Sequence, residues 1–336
     1  MRHKLVAMVA FISLLGFGSD PASAQLKKIR FVVSAVAVTE VPFKIAHLKG
    51  FYREEGLDVE IILIRGALGA AALIGGSVDY SSAAGALIAA GVRGMPVRLV
   101  LVVSSKPLQD LVSQPNITSF DQLRGQKIGI SSRGGALDLT TQFILKKNGL
   151  DPHKDVTLLV IGSQEELMIA MRQKLIAAVL LSAPRQLMLY REGFKKLAYS
   201  GDYVPSYPTG GIGVTEEKIR KNPDEIFSFV KASLKGLHFY RKNRAESIEV
   251  LTKYLGIKDS SLASQVYESH LSRLSANFSE DEAWMKGAID FTKQSLGFSG
   301  AVPTHQIFDF RFVEKALTRS PQKEKIKRLE ETTSNP

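Results

Sequence analysis

Small and polar residues lie at four places where a predicted strand passes into a predicted helix. In open α/β sheets, ligands bind beyond the carboxyl ends of the strands. The helix that follows presents unpaired N–H donors and a partial positive charge, and both favour an oxyanion. We therefore predict a ligand-binding site that comprises Thr39, Glu40, Ser82, Ala83, Gly85, Ser131, Ser132, Arg133, Gly134 and Ser182, with Tyr207 added from a later Pro/Gly/Tyr-rich segment.

Several of these residues have a second interpretation. Each Ser or Thr could be an ordinary helix N-cap. The guanidinium of Arg133 could bind a carboxylate or sulfonate in a bidentate manner, but arginine is also common as an exposed loop charge. Glu40 could interact with the dipole of its own helix or with a ligand amine. Tyr203 and Tyr207 could stack on a ligand or simply pack in the hinge.

The sequence contains no motif that would indicate catalysis. Its six histidines have no second histidine or carboxylate at metal-ligand spacing within a predicted helix, and the chain has no cysteine. Residues 129–133 (GISSR) lack the last glycine of a nucleophile elbow, and a phosphate-binding loop is missing. We therefore predict a binding protein, not an enzyme, that uses neither a metal nor a cofactor.

The elements that would position these residues are clearest between residues 42 and 64. Pro42 suits a first helical turn, where its missing N–H is not needed, and Gly50 suits the end of that helix. The following segment, Asp58–Ile64, ends in an apolar run typical of a strand that is covered on both faces. Residues 29–64 thus predict a strand, a helix and a second strand.

The same alternation of strands and helices continues along the chain. It predicts one mostly parallel sheet up to Val103, a connection over residues 104–118, and a second sheet that begins near Lys127. A Pro/Gly/Tyr-rich stretch at Tyr203–Gly213 predicts a return connection, and residues 223–318 are helical by pattern. A chain of 336 residues also exceeds what a single core usually supports, so two lobes are expected.

The N-terminus predicts export. Arg2 and Lys4 precede an apolar stretch, Leu5–Phe17, and Ala22-Ser23-Ala24 forms a cleavage signal before Gln25. The apolar stretch is shorter than the ~20 residues of a membrane-spanning helix. Without a cysteine to carry a lipid anchor, a free binding protein would be retained only inside an outer membrane. We therefore expect a Gram-negative periplasm.

The formal net charge is +11, from 44 basic and 33 acidic residues. The basic residues are scattered and no aromatic-basic motif accompanies them, so we do not expect a nucleic-acid partner. A solvated basic surface would instead attract anionic ligands at long range.

Four segments resemble the substrate-binding proteins of ABC importers for sulfonates, taurine, nitrate and thiamine-pyrimidine precursors. Residues 49–59 (KGFYREEGLDV) match that family's K-G-(F/Y)-(F/Y)-x-x-E-G-L-x-V phrase at every fixed position. Residues 117–130 (ITSFDQLRGQKIGI) resemble the phrase that opens the family's second lobe, with Gln122 and Arg124 as departures. Residues 76–80 and 149–156 match two further phrases, so the resemblance spans residues 27–320 in outline.

This resemblance implies an α/β fold of the type II periplasmic-binding-protein class. Each of two lobes would be a mostly parallel sheet flanked by helices, and two hinge crossovers would join them. We expect a signal peptide at 1–24, lobe I at 25–105 and 206–318, lobe II at 106–205, and a polar tail at 319–336.

The resemblance also implies a function in transport. The protein would be a monomer that captures a small organic anion, such as a sulfonate, a carboxylate or a related nitrogen or sulfur compound. It would deliver this ligand to an ABC permease and ATPase complex. Two alternatives are a ligand-sensing module of a membrane receptor and a pyrimidine-synthase-like enzyme of the same fold. The missing cysteines disfavour the enzyme, since those relatives use cysteine-rich, cofactor-bound sites.

Overall fold

The computed structural model describes residues 25–64, 68–131, 133, 136–204 and 206–318. It contains two five-stranded sheets, each covered by helices, which confirms the predicted α/β class with two lobes. The predicted signal peptide and polar tail lie outside the described residues. The domain limits given above stay predictions.

The sheet of the first lobe consists of β1 (Lys27–Val33), β2 (Leu57–Leu63), β3 (Tyr80–Ser81), β4 (Val97–Ser104) and β10 (Thr209–Thr215). The sheet of the second lobe consists of β5 (Asp110–Ser113), β6 (Lys127–Ile130), β7 (Thr157–Val160), β8 (Ala178–Leu181) and β9 (Lys195–Tyr199). The spatial orders are β2-β1-β3-β10-β4 and β7-β6-β8-β5-β9.

The helices of the first lobe are α1 (Val41–Leu48), α2 (Phe51–Glu54), α3 (Leu68–Ile74), α4 (Ala84–Val92), α9 (Glu216–Lys221), α10 (Pro223–Lys242), α11 (Arg244–Leu255), α12 (Ser260–Leu271), α13 (Glu282–Leu296) and α14 (Arg311–Thr318). Those of the second lobe are α5 (Ala136–Lys147), α6 (Gln164–Arg172), α7 (Arg185–Arg191) and α8 (Ser200–Tyr203). Short 3-10 turns occupy Val38–Glu40, Asp121–Leu123 and Thr304–Gln306. None of the helices in the described part of the chain is both long enough and apolar enough to cross a membrane.

Four of the five strands in each sheet run in the same direction. The exceptions are β10, which is antiparallel to β3 and β4, and β5, which is antiparallel to β8 and β9. Successive residues of β1 face opposite sides: Phe31 belongs to one hydrophobic core and Val32 to another. The first sheet is therefore buried on both faces, as a mostly parallel sheet requires.

The chain crosses between the lobes twice, from β4 to β5 and from β9 to β10, and the two crossings are hydrogen-bonded to each other. The amide of Tyr207 donates to the carbonyl of Ser105 at 3.1 Å, and the amide of Ser200 donates to the carbonyl of Gln109 at 3.0 Å. We call this pair of segments, residues 104–110 with 199–204 and 206–209, the crossover ribbon.

Two strands and one connection differ from the sequence prediction. The predicted connection at 104–118 contains β5, and β9 follows α7 where only a helix is predicted. The predicted return connection at Tyr203–Gly213 ends at Thr209, where β10 begins. Its glycines do not form a turn but belong to strand β10. A Cβ on Gly211 would lie 2.5 Å from the carbonyl oxygen of Leu101. There glycine permits close packing within a sheet.

Phe229 of α10 anchors the C-terminal helices on the first sheet. Its ring stacks on Tyr80 at a centroid distance of 3.8 Å and on Tyr52 at 5.1 Å, and meets Phe31 edge-on at 5.2 Å. All four side chains are buried. Burying an aromatic side chain of this size contributes about 2–3 kcal/mol, so this cluster fixes α10 against the sheet.

Close packing of α10 on α1 generates a first prediction. A Cβ on Gly236 would lie 2.4 Å from the carbonyl oxygen of Pro42 and 2.8 Å from the Cβ of Ala46. Alanine would gain about 1 kcal/mol of helix propensity, but overpacking against backbone costs about 1–3 kcal/mol. We predict that Gly236→Ala lowers the free energy of unfolding in urea by about 1–2 kcal/mol.

Gly91→Ala in α4 is the matched control. Its new Cβ would meet chiefly the Cδ1 of Ile307, at 2.5 Å, and that terminal carbon belongs to a side chain that can rotate away. This variant should keep at least the wild-type stability. A Gly236→Ala protein more stable than wild type would contradict the close packing of α1 and α10.

Candidate ligand-binding site

A cavity of about 160 Å³ lies between the two lobes, beside the crossover ribbon. Its wall is formed by Ala37, Val38, Thr39, Leu108, Gln109, Gln164, Ser182, Ala183, Thr209, Ser269, His270 and Arg273. Small-molecule sites are typically concave, with an apolar lining and a few convergent polar groups. A wider groove, of about 770 Å³, lies at the far end of the second lobe around Lys127 and Ala177. It is away from the crossover ribbon, at the amino ends of β6 and β8.

The two lobes also contact each other outside the residues that line the cavity. On one side α7 of the second lobe meets α12 of the first, where Arg191 pairs with Asp259 at 2.6 Å. Elsewhere Phe143 of α5 meets Phe291 of α13 edge-on at a centroid distance of 6.2 Å. The structure therefore shows the two lobes in direct contact, which we call the closed arrangement.

Gln164 and Ser182 form the second-lobe wall. Ser163 caps α6 through a capping box with Glu166, which fixes Gln164 in the first helical turn. The Oε1 atom of Gln164 accepts from the amide of Ser182 at 3.1 Å and from its hydroxyl at 3.0 Å. The turn after β8 is thereby locked to the start of α6.

Arg273 follows the end of α12 and brings a positive charge to the cavity. Its Nη1 donates to the carbonyl of Leu108 at 3.3 Å, and its guanidinium lies over the ring of Tyr199 at 4.5 Å. Nη2 is 3.7 Å from Oδ1 of Asp110, a buried carboxylate that also lies 3.5 Å from the ammonium of Lys196. These contacts hold the guanidinium in one place between the lobes.

His270 lies at the C-terminal end of α12 and is only 2 % exposed. Its Nδ1 is 3.1 Å from the hydroxyl of Tyr240. Burial, assisted by the charge of Arg273, lowers the pKa of His270 to about 3. The imidazole is therefore neutral at physiological pH.

Glu40 is buried next to the cavity but does not line it. The hydroxyl of Ser82 donates to its Oε1 at 2.6 Å, and Oε2 has no hydrogen-bond partner among the described residues. Burial raises the pKa of Glu40 to about 8, although the hydrogen bonds from Ser82 and from the amide of Ser34 oppose this shift. Its side chain makes no cap hydrogen bond to α1. The carboxyl is thus mostly protonated at neutral pH and does not act as an ionised partner of the helix dipole.

Of the predicted site residues that the structure describes, Thr39 and Ser182 line the cavity. Glu40 and Ser82 contact each other beside it. Ala83 is buried at the start of α4, and the hydroxyl of Tyr207 would lie 2.4 Å from a Cβ on Gly85, so the tyrosine occupies the space above that glycine. Tyr207 also meets Phe291 edge-on at 5.2 Å, which favours the packing interpretation of this ring.

Ser131 and Arg133, the described residues of the predicted turn after β6, do not line the cavity. Ser131 is half-buried and Arg133 is exposed, and Nη2 of Arg133 donates to the carbonyl of Leu158 at 2.6 Å. Ser132 and Gly134 lie outside the described residues. A ligand contact by Arg133 stays a prediction that this arrangement does not favour.

Six polar residues of the cavity wall were not predicted: Gln109, Gln164, Thr209, Ser269, His270 and Arg273. The capping box before Gln164 is visible in the sequence as Ser163-x-x-Glu166, and it could have indicated a helix start at the cleft. Nothing in the sequence of α12 marks its residues as cavity-lining, because their position depends on how the C-terminal helices pack across the lobes.

Comparison with known proteins places the chain in a family. Residues 39–247 match the family model described as NMT1/THI5 like, and the chain therefore belongs to that family. The match confirms the resemblance identified from the sequence.

Three relatives illustrate the range of this family and fold. The riboflavin-binding protein RibY of Chloroflexus aurantiacus is 24% identical over 314 residues, which cover 87% of this chain and 88% of that protein. The 4-amino-5-hydroxymethyl-2-methylpyrimidine phosphate synthase THI11 of Saccharomyces cerevisiae is 26% identical over 237 residues, or 65% of this chain and 67% of the synthase. The structure of a putative periplasmic sulfonate-binding protein SsuA from Methylobacillus flagellatus superposes with a TM-score of 0.70 at 18% identity, covering 88% of this chain and 94% of that one. The periplasmic-binding-protein fold is thereby confirmed.

The buried carboxyl of Glu40 generates a second prediction. Its pKa is about 8 in the folded protein against 4.5 for an ordinary glutamate, so the folded state holds a proton that the unfolded chain releases. This contribution to stability is complete below pH 4.5 and is lost as the pH rises through about 8. We predict that the stability of Glu40→Gln relative to wild type increases by roughly 3 kcal/mol between about pH 5 and pH 8.

The measurement is urea denaturation across this pH range. Glu60→Gln is the control because Glu60 is an exposed carboxyl on β2 of the same lobe, and its curve should run parallel to the wild-type curve. If the Glu40→Gln curve also ran parallel, Glu40 would be ionised or solvated in the folded protein.

Proposed function

We propose that this protein is the solute-binding component of an ABC importer and that it captures a small organic anion in the cavity between its lobes. The observation that carries the proposal is that Arg273 lines the interlobe cavity and that its guanidinium is held there by Asp110 and Leu108. The family and the fold support the capture of a small molecule. The cavity itself supports the choice of an anion.

The charges near Arg273 favour an anion. Asp110 is one carboxylate facing two cations, Arg273 and Lys196, and its second oxygen accepts from the hydroxyl of Tyr190 at 3.0 Å. One positive charge is therefore left without a counter-charge in this cluster. A guanidinium in a partly desolvated site binds a carboxylate or sulfonate through charge-assisted hydrogen bonds, which are stronger than neutral ones.

The size of the cavity favours a small ligand. A volume of about 160 Å³ corresponds to roughly five water molecules at about 30 Å³ each. A carboxylate or sulfonate with a short carbon body would fit, and the apolar side chains of Val38 and Leu108 would cover that body. A ligand as large as riboflavin would need a wider cleft than this closed arrangement offers.

The crossover ribbon supports a mechanism of capture by closure. Relative motion of the lobes requires backbone changes in a few residues, and the segments 105–109 and 206–208 are the short connections where these can occur. Closure would bury the ligand and bring α7 onto α12. The surface formed in this way would be recognised by the membrane permease.

An enzyme is the second candidate, since the yeast pyrimidine phosphate synthase shares 26% identity over two thirds of the chain. A sensor module would use the same capture step. Incubating the protein with its ligand separates the enzyme from the other two candidates. An enzyme would convert the ligand, whereas a binding protein or a sensor would leave it chemically unchanged.

The third prediction concerns the ligand contact. A thermal-shift screen of sulfonates, carboxylates, nitrate and pyrimidines should identify ligands, because a ligand that binds only the folded state raises the melting temperature. With the best anion, Arg273→Ala should weaken binding roughly ten- to a hundredfold, as expected for a charge-assisted contact of about 1.5–3 kcal/mol. Calorimetric titration measures this change.

Arg133→Ala is the matched control, and it also tests the arginine chosen from the sequence. Because Arg133 is exposed and bonded to Leu158, its replacement should leave the affinity within about threefold of wild type. The reverse result, a large loss for Arg133→Ala and none for Arg273→Ala, would move the anion site to the turn after β6. A neutral ligand as the only hit would contradict the anionic class.

The fourth prediction concerns location. We propose a periplasmic protein whose mature chain begins at Gln25, after cleavage at Ala22-Ser23-Ala24. Mass spectrometry of a periplasmic extract should give a mass that lacks residues 1–24. An intact chain beginning at Met1 in the cytoplasmic fraction would contradict export.

A further inference from the structure

His270 of α12 lines the cavity and has one ring nitrogen without a partner among the described residues. His270 lines the cavity and is 2 % exposed, and its Nε2 makes no hydrogen bond within the described ranges 25–64, 68–131, 133, 136–204 and 206–318. Buried polar atoms of folded proteins are almost always hydrogen-bonded, so each exception needs an explanation. A partner that arrives from the cavity would supply one.

The other ring nitrogen indicates which atom carries the imidazole proton. Nδ1 lies 3.1 Å from the hydroxyl of Tyr240, and both residues are buried. This hydroxyl has no other hydrogen-bond partner in the described part of the chain, so it must donate to Nδ1 if its proton is to be paired. The opposite arrangement would leave both the phenol proton and a bare Nε2 unpaired among the described residues, whereas this one leaves only the Nε2–H unpaired and so has the lower free energy. The neutral imidazole therefore carries its own proton on Nε2.

We propose that His270 presents an Nε2–H donor to an oxygen of the anionic ligand, next to the guanidinium of Arg273, and that Tyr240 fixes this tautomer. The inference rests on the proposed function and adds the ligand-recognising side chain to it. A carboxylate or sulfonate offers at least two acceptor oxygens, so one group can accept from both residues. Tyr240 acts through His270 and is a positioning residue.

Methanesulfonate is a suitable probe, because it carries the oxyanion and is small enough for a cavity of about 160 Å³. Dimethyl sulfone has nearly the same shape without the charge and serves as its neutral control. The protein is labelled with ¹⁵N in the histidine rings, and His270→Gln assigns the His270 signals. A protonated ring nitrogen and a bare one differ widely in ¹⁵N chemical shift.

In the ligand-free wild type we expect the His270 Nε2 to be protonated and Nδ1 to be bare. Addition of methanesulfonate should shift the Nε2–H signals, and dimethyl sulfone should bind more weakly. In Tyr240→Phe the two tautomers should both be populated, since the donor to Nδ1 is gone. This change in the protonation of Nε2 is a signature that a purely structural role of Tyr240 would not produce.

Two substitutions at position 270 provide a matched pair. The side-chain amide of glutamine can place an N–H near Nε2, whereas the shorter asparagine reaches only the position of Nδ1. We expect His270→Asn to weaken methanesulfonate binding about tenfold or more, and His270→Gln to retain most of it. Melting temperatures of the variants show whether they are folded.

The outcomes separate this inference from the proposed function. Binding of methanesulfonate without any shift of the His270 signals, or a proton on Nδ1 in the wild type, would overturn the inference and leave the function intact. Absence of methanesulfonate binding to the wild type would contradict the anionic ligand class, and the inference would be rejected with it. The wild-type spectra decide the question even if a variant fails to fold.

Discussion

The double crossing between the lobes is the constraint on which the rest of this structure depends. A strand that enters a lobe from the other one must begin at the cleft and run away from it. β5 and β10 do so, and they are therefore antiparallel to neighbours whose carboxyl ends lie at the cleft. The remaining strands can all direct their carboxyl ends, and the helix starts that follow, toward one interlobe space. Thr39 after β1, Gln164 after β7 and Ser182 after β8 reach the same cavity for this reason.

The crossing from β4 to β5 also places the carboxylate that partly neutralises the positive charges at the cavity. Asp110 opens β5 at the cleft, and its buried carboxylate holds both Arg273 from the C-terminal helices and Lys196 from the neighbouring β9. The guanidinium is thereby fixed between the lobes, and only part of its charge is neutralised by the protein. Removing one partner from a buried charge cluster is unfavourable. An anion in the cavity would complete the cluster instead of disturbing it.

The fold could be predicted from the sequence to a large extent, because its signals are local. Apolar runs, Pro42 at the first turn of α1 and Gly50 after its end identified the first βαβ unit, and the φ of Gly50 is indeed +75°. Three strands, β5, β9 and β10, could not be found in this way. The four residues of β5 lie in a segment with prolines on both sides, and β10 contains the glycines usually read as a turn. Their strand conformation follows from pairing with distant segments, which a local pattern does not encode.

The site was predictable only where it is built from strand ends. Thr39 and Ser182 follow from that rule, whereas Ser269, His270 and Arg273 reach the cavity through the packing of α12 across both lobes. Burial then sets the charge state of the region. It raises the pKa of Glu40 to about 8 and lowers that of His270 to about 3, so both groups are mostly neutral between those limits. Within the described residues Arg273 is the charged member of the cavity wall. Across this pH range the wall therefore keeps one constant charge, and capture of the proposed anion would depend on the ionisation of the ligand itself.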